Sequence, residues 1–216
     1  MKMSELSAVS GTPTATIKFY QREGLLPPSD KTAPNQADYG PAHVARLQLI
    51  RALLGVGKLS IAAAAEVIGS IDSAEPVLYT FEAAQNALSE HLDESDVTPD
   101  ALAIVDAATT GWRVSPGNPG RLAAARVVDT FGALGQADEA GWFDRYAAAA
   151  LLAAEADLDE IASRSGRDAQ AETVVVGTVL GDALFSGLRR AAQEHVSSGR
   201  HPAPPHAAST RPNGAS

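Results

Sequence analysis

Lys18 and Arg22 lie four residues apart in "ATIKFYQREGLLPP" (15–28). On a helix, positions i and i+4 share a face, so both cations point the same way. Thr14 and Gln21 fall on or beside that face. Cations there can neutralise phosphates or reach guanine edges, and the hydroxyl and amide can bond to bases or backbone. This is nucleic-acid chemistry. The same spacing also suits the solvated face of a helical bundle, so the surrounding elements must decide.

Few other side chains are placed for chemistry. Cysteine is absent, which removes disulfides, thiolate zinc sites and iron–sulfur ligation. His43, His91 and His195 show no metal-ligand spacing, and His201 and His206 fall in a Pro/Ala-rich tail. Glu155, Asp157, Asp159 and Glu160 read as a polar face and helix-start acids rather than a cation site. "GTVLGD" (177–182) lacks the lysine of a phosphate loop, and no nucleophile elbow or zinc-protease motif occurs. We expect no catalytic residues, no metal, no cofactor and no enzyme activity. Trp112, Phe131, Trp142, Phe143 and Tyr146 gather most of the later aromatics. Such rings commonly fill a core, and otherwise line an apolar effector pocket. The alanine-rich run 147–154 suits close packing or a cavity.

The elements that must carry these residues differ along the chain. Net charge is -9 over 216 residues. Residues 1–72 hold seven Lys/Arg against six Asp/Glu, leaving ten and twenty of the chain's 17 and 26 for the remainder. A near-neutral part with a locally basic face is thus joined to a strongly acidic part. No run of about 18 apolar residues occurs, and "MKMSELSAVSGTP" has no signal core. A cytoplasmic protein away from membranes is expected.

Leu6 and Val9 mark one face of a first helix, and Gly11 suits its left-handed end. Thr12-Pro13 reads as a capping hydroxyl and a first-turn proline. The second helix turns Ile17 and Tyr20 inward and stops at Gly24. Two short helices across a tight turn make a helix-turn-helix. The stretch 29–41 is polar and turn-rich, suited to a hairpin wing. Gly40-Pro41 opens a third helix with Val44, Leu47, Ile50 and Leu54, broken by Gly55 and Gly57. Ser60 caps a fourth.

This ordered set, "IKFYQREGLLPP", a wing ending in "DYGPAHVARLQLIRALLGVG", then "LSIAAAAEVIG", resembles the winged-helix DNA-binding domain of MerR-family transcriptional regulators over about residues 1–72. The resemblance places Lys18 at a basic recognition-helix position and Phe19-Tyr20 at the aromatic pair. Arg22 to Leu25 match the helix exit, Tyr39 the wing aromatic and Arg46 the following helix. With Thr14, Thr16, Gln21 and Lys31, these form the candidate DNA-binding set. The chain departs from the pattern at Ala15, where a cation is usual, and at Gln36 and Ala37, where the wing usually has Tyr and Arg. "APNQAD" also lacks the usual Asn-Gly turn. Fewer phosphate contacts flatten the salt dependence of binding.

The expected fold class is mostly α: a winged helix-turn-helix with a short β wing at 1–72, a connecting helix at 76–92, an all-helical effector or regulatory domain at 98–196, and a disordered tail at 197–216. Val77, Phe81, Ala84, Leu88 and Leu92 form one face of the connecting helix. Helical patterns beyond "GWRVSPGNPG" (111–120) cover about 121–134, 138–156, 157–165 and 169–196, the last with Val174, Val175, Val179, Leu184 and Leu188 along it. The resemblance implies a homodimer on a pseudo-palindromic promoter element, with double-stranded DNA as direct partner and RNA polymerase an indirect one. It also implies action by DNA distortion, gated by a small organic effector or by none. A ligand-free repressor is one alternative. Another is a protein-interaction module that has lost DNA binding through Ala15, Gln36 and Ala37.

Overall fold

The computed structural model describes residues 1–33, 36–89 and 92–200. Among them the chain is mostly helical. Helix α1 (Met3–Ser10) ends on Gly11 at φ 64°, a left-handed turn that glycine adopts without strain. Leu6 on α1 is fully buried, but Val9 is 63% exposed, so the expected shared face does not form. Helix α2 (Thr14–Arg22) follows, with Pro13 as its N-cap. Thr12 does not cap it: its hydroxyl is buried without a partner among the described residues. The Thr12 carbonyl instead accepts from Ser7 Oγ at 2.8 Å.

Strands β1 (Asp30–Ala33) and β2 (Gln36–Asp38) pair antiparallel, with Asp30 opposite Asp38 and Lys31 opposite Ala37. The expected "APNQAD" turn falls partly outside the described residues. Helix α3 (Pro41–Gly55) carries proline in its first turn, and α4 (Ile61–Asp72) is capped by Ser60 Oγ, which accepts from the Ala63 amide at 3.1 Å. Both starts are those the sequence predicts. Helix α5 (Val77–Leu88) ends before Leu92, which packs with a different cluster.

The second part comprises α6 (Pro99–Ala108), α7 (Pro119–Ala133) and α8 (Trp142–Ala162), then α9 (Arg167–Val175), a π turn (Val176–Leu180) and α10 (Gly181–Arg200). Helix α8 runs unbroken where two patterns, 138–156 and 157–165, were expected. Asp157 and Asp159 therefore sit inside a helix and not at a start. Residues 197–200 belong to α10, against the expected tail; residues 201–216, with His201 and His206, lie outside the described residues, as does His91.

One core gathers Leu6, Ile17, Leu25, Leu26, Leu47, Ile50, Leu53 and Val67, and it is closed by Ala171, Val175 and Val179 from the far end of the chain. The first core thus extends beyond residues 1–72. A smaller core joins Val97, Ala101, Val105, Leu122 and Ala125. The run Arg167–Arg200 is one 34-residue helix, long and apolar enough by composition to cross a membrane, but its buried apolar stretch is part of the protein's own core. The apolar stripe expected along it stops at Val179: Leu184 and Leu188 are 63% and 60% exposed.

Candidate DNA-binding face and ligand cavity

Helix α2 is held by Ile17 and Tyr20, both buried, and by Leu25 and Leu26 just past its end. The Leu25 amide donates to the Tyr20 carbonyl at 2.9 Å, and Gly24 takes φ 76° to make that turn. With the inner face pinned, Thr14, Lys18 and Arg22 stand in solvent, with Thr16, Phe19 and Gln21 half-buried beside them. Arg22 lies over the Phe19 ring, 6.0 Å from its centroid. Neither Lys18 nor Arg22 has a carboxylate partner among the described residues.

Other members of the candidate set are used by the protein itself. Tyr20 is in the core. Tyr39 is buried, its ring meeting His43 edge-on at 5.2 Å and its amide donating to the Met1 carbonyl. His43 Nδ1 accepts from the Gly40 amide at 3.1 Å, which explains that histidine as a local helix-start contact. Arg46 forms a forked ion pair with Asp72 across α3 and α4. Lys31 lies on β1. The open face therefore reduces to Thr14, Lys18 and Arg22, with Ala15 exposed among them.

Arginines also tie the elements together. Arg51 Nη1 donates to the Ser10 carbonyl at 2.9 Å, closing α1 onto α3. Arg167, at the start of α9, donates to the carbonyls of Ser70 and Glu75, each at 2.9 Å, and to that of Ile71. It thereby satisfies the open end of α4, where helix carbonyls lack partners.

The second part holds a cavity of about 690 Å³ between α6, α7 and α8. All five aromatics singled out in the sequence line it: Trp112, Phe131, Trp142, Phe143 and Tyr146. Phe131 and Phe143 lie nearly parallel, 6° between planes at 5.8 Å, with Trp142 stacked 5.2 Å from Phe131. Ala147 and Ala150 line the same space; their small side chains leave it open. The start of α8 is fixed by Asp138, whose carboxylate accepts from the amides of Trp142 at 2.5 Å and Phe143 at 2.8 Å. The Phe143 and Trp142 amides hold this carboxyl below its ordinary range.

Both charged lining residues escaped the sequence reading. Arg121 is gripped by Asp106, both bonds 2.7 Å, and by Glu94 at 3.1 Å. Arg189 arrives from α10 and donates through Nε and Nη2 to the Tyr146 hydroxyl at 3.1 and 2.8 Å. No local spacing signals either contact, because the partners come from other elements. Among the described residues there is no cluster of His, Asp and Glu able to hold a metal.

Residues 1–70 match the model of the MerR HTH family regulatory proteins. Over 50 residues the chain is 36% identical to the HTH-type transcriptional regulator ZntR homolog of Haemophilus influenzae, covering 23% of this chain and 37% of that protein. The chain thus spans little more than a third of that relative's length. The crystal structure of the proposed transcriptional regulator SCO5550 from Streptomyces coelicolor A3(2) aligns with TM-score 0.68 and 32% identity, over 94% of this chain and 99% of that one. That likeness runs through the helical part as well as the first seventy residues.

Proposed function

This chain belongs to the MerR family of transcriptional regulators, and from that premise we propose that it works as a homodimer that distorts a pseudo-palindromic promoter element and is gated by a small organic effector. The observation that carries the DNA reading is the bare outer face of α2. In a protein of net charge -9, Lys18 and Arg22 have no carboxylate partner among the described residues. A face kept basic and open in an acidic chain suits a phosphate backbone.

Two such helices must reach successive major grooves, about 34–36 Å apart, and two-fold pairing supplies that spacing. Helix α5 leaves Leu78 and Tyr79 73% and 52% exposed, apolar area that a second copy would cover. The β1–β2 pair serves as the wing flanking the groove. Bending or twisting the element costs a few kcal/mol, which the contacts of both protomers offset, and a poorly spaced promoter then becomes readable by RNA polymerase in the cytoplasm. The aromatic cavity is the effector site, and no catalytic step is assigned.

Electrophoretic shift on its own promoter fragment across a range of salt tests the reading. A complex with a steep salt slope and a two-fold footprint supports it. A slope near zero favours the alternative, a protein-interaction module without DNA binding.

A further inference from the structure

The cavity is unusual for the apolar area it leaves wet. Trp112, Trp142 and Tyr146 are 37%, 40% and 40% exposed, and Ile104, Val114 and Val127 add 44%, 40% and 51%. All six line the same space. Exposed apolar surface concentrated in one concavity marks a place that something else covers.

The charges around it indicate what that is. The lining includes two arginines and no carboxylate. Arg121 is compensated: Asp106 and Glu94 both pair with it, and with the Pro116 carbonyl they take four of its donors. Arg189 is not. Its only hydrogen-bond acceptor among the described residues is the neutral Tyr146 hydroxyl, and its guanidinium carbon sits 5.3 Å above that ring. A guanidinium has five N–H donors in a planar fork, so an uncompensated charge with free donors stands at the edge of a stacked aromatic wall.

Resting on the reading of this cavity as the effector site, we propose that it takes a planar aromatic carboxylate, its rings against Phe131, Trp142 and Trp112 and its carboxylate on Arg189. Aromatic walls alone would also attract a cation. Here Arg189 repels one, and no lining acid compensates. The acidic surface of the whole protein opposes any anion at long range, but charges beyond about 8 Å are screened at physiological salt. A forked arginine–carboxylate contact acts at hydrogen-bond distance and outweighs that background.

Both tryptophans of the chain line the cavity, so tryptophan emission of the full-length protein reports on this site. Three probes of one shape separate the possibilities: biphenyl-4-carboxylate, its neutral carboxamide, and biphenyl-4-methylammonium. The carboxylate is expected to bind about tenfold more tightly than the ammonium, an ordinary increment for one charge-assisted contact. Arg189→Gln should abolish that preference, while Arg189→Lys keeps its direction. An ammonium that binds as well as the carboxylate, or a preference that survives Arg189→Gln, overturns the inference but leaves the cavity as a ligand site. Silence from all three probes overturns both.

Discussion

Gly57, in the bend between α3 and α4, packs so closely against Val179 of the π turn that a β-carbon on the glycine would overlap Val179 Cγ1 and lie 2.7 Å from the Leu53 carbonyl oxygen. The contact joins the DNA-binding core to the last long helix. Because the Leu53 carbonyl is backbone, that side of the contact cannot simply swing aside. Gly57→Ala is expected to lower stability by about 1–3 kcal/mol, the usual range for overpacking. Adding Val179→Ala should recover part of the loss, the backbone overlap remaining. Urea midpoints of the single and double variants check this.

Lys18→Ala or Arg22→Ala should each weaken the complex with promoter DNA by about 1–3 kcal/mol if they contact bases, and otherwise reduce the salt slope by about one unit. Neither side chain is paired with a carboxylate among the described residues, so the melting temperature should stay put. Fluorescence anisotropy at several salt concentrations, beside a thermal melt, distinguishes a binding role from a structural one. Arg46→Ala should do the reverse, losing stability with its Asp72 partner before it loses DNA.

Arg167 closes the end of α4 through three carbonyls and the Ser73 hydroxyl. Removing it leaves partly buried acceptors unpaired, at a cost of about 1–3 kcal/mol. Lysine cannot reproduce the fork, so Arg167→Lys should recover little. Denaturant titration of both variants measures the gap.

Asp138 supplies the pH prediction. Its folded carboxyl is held low by the Phe143 and Trp142 amides. Its contribution is therefore present above the ordinary carboxyl range, near 4, and is lost as pH falls through the lower folded value. Asp138→Asn should melt below the natural protein at pH 7, and the difference should shrink as the solution is acidified below the ordinary carboxyl range. Thermal melts across that range, followed by tryptophan emission, would show it; a gap that persists in acid rules out the carboxylate as its source.

Local signals in the sequence were legible because their partners lie within a few residues. Gly11 ends α1, and Pro41 and Ser60 start α3 and α4. Ile17 and Tyr20 read as the inner face of α2 for the same reason. The five aromatics were legible as a set, but spacing could not distinguish a filled core from a cavity, which depends on how three helices meet. Long-range pairings left no trace. Nothing near Arg46 announces Asp72, nothing near Tyr146 announces Arg189, and the valines at 174–179 carry no mark that their core is the one around Ile50. The acids at 155–160 do form an exposed polar face, on α8, but no helix starts among them, since the same residue types serve a helix start and a helix surface equally well.

Mechanically, the helix from Arg167 to Arg200 makes the two parts share an axle rather than a tether. Its near end is bolted under α4 by Arg167. Further along, at 1.5 Å per residue, Arg189 rides about 33 Å away beside the aromatic wall. The helical winding changes once along the way, in the wide turn at Val176–Leu180, which contains Gly177 and is followed by Gly181.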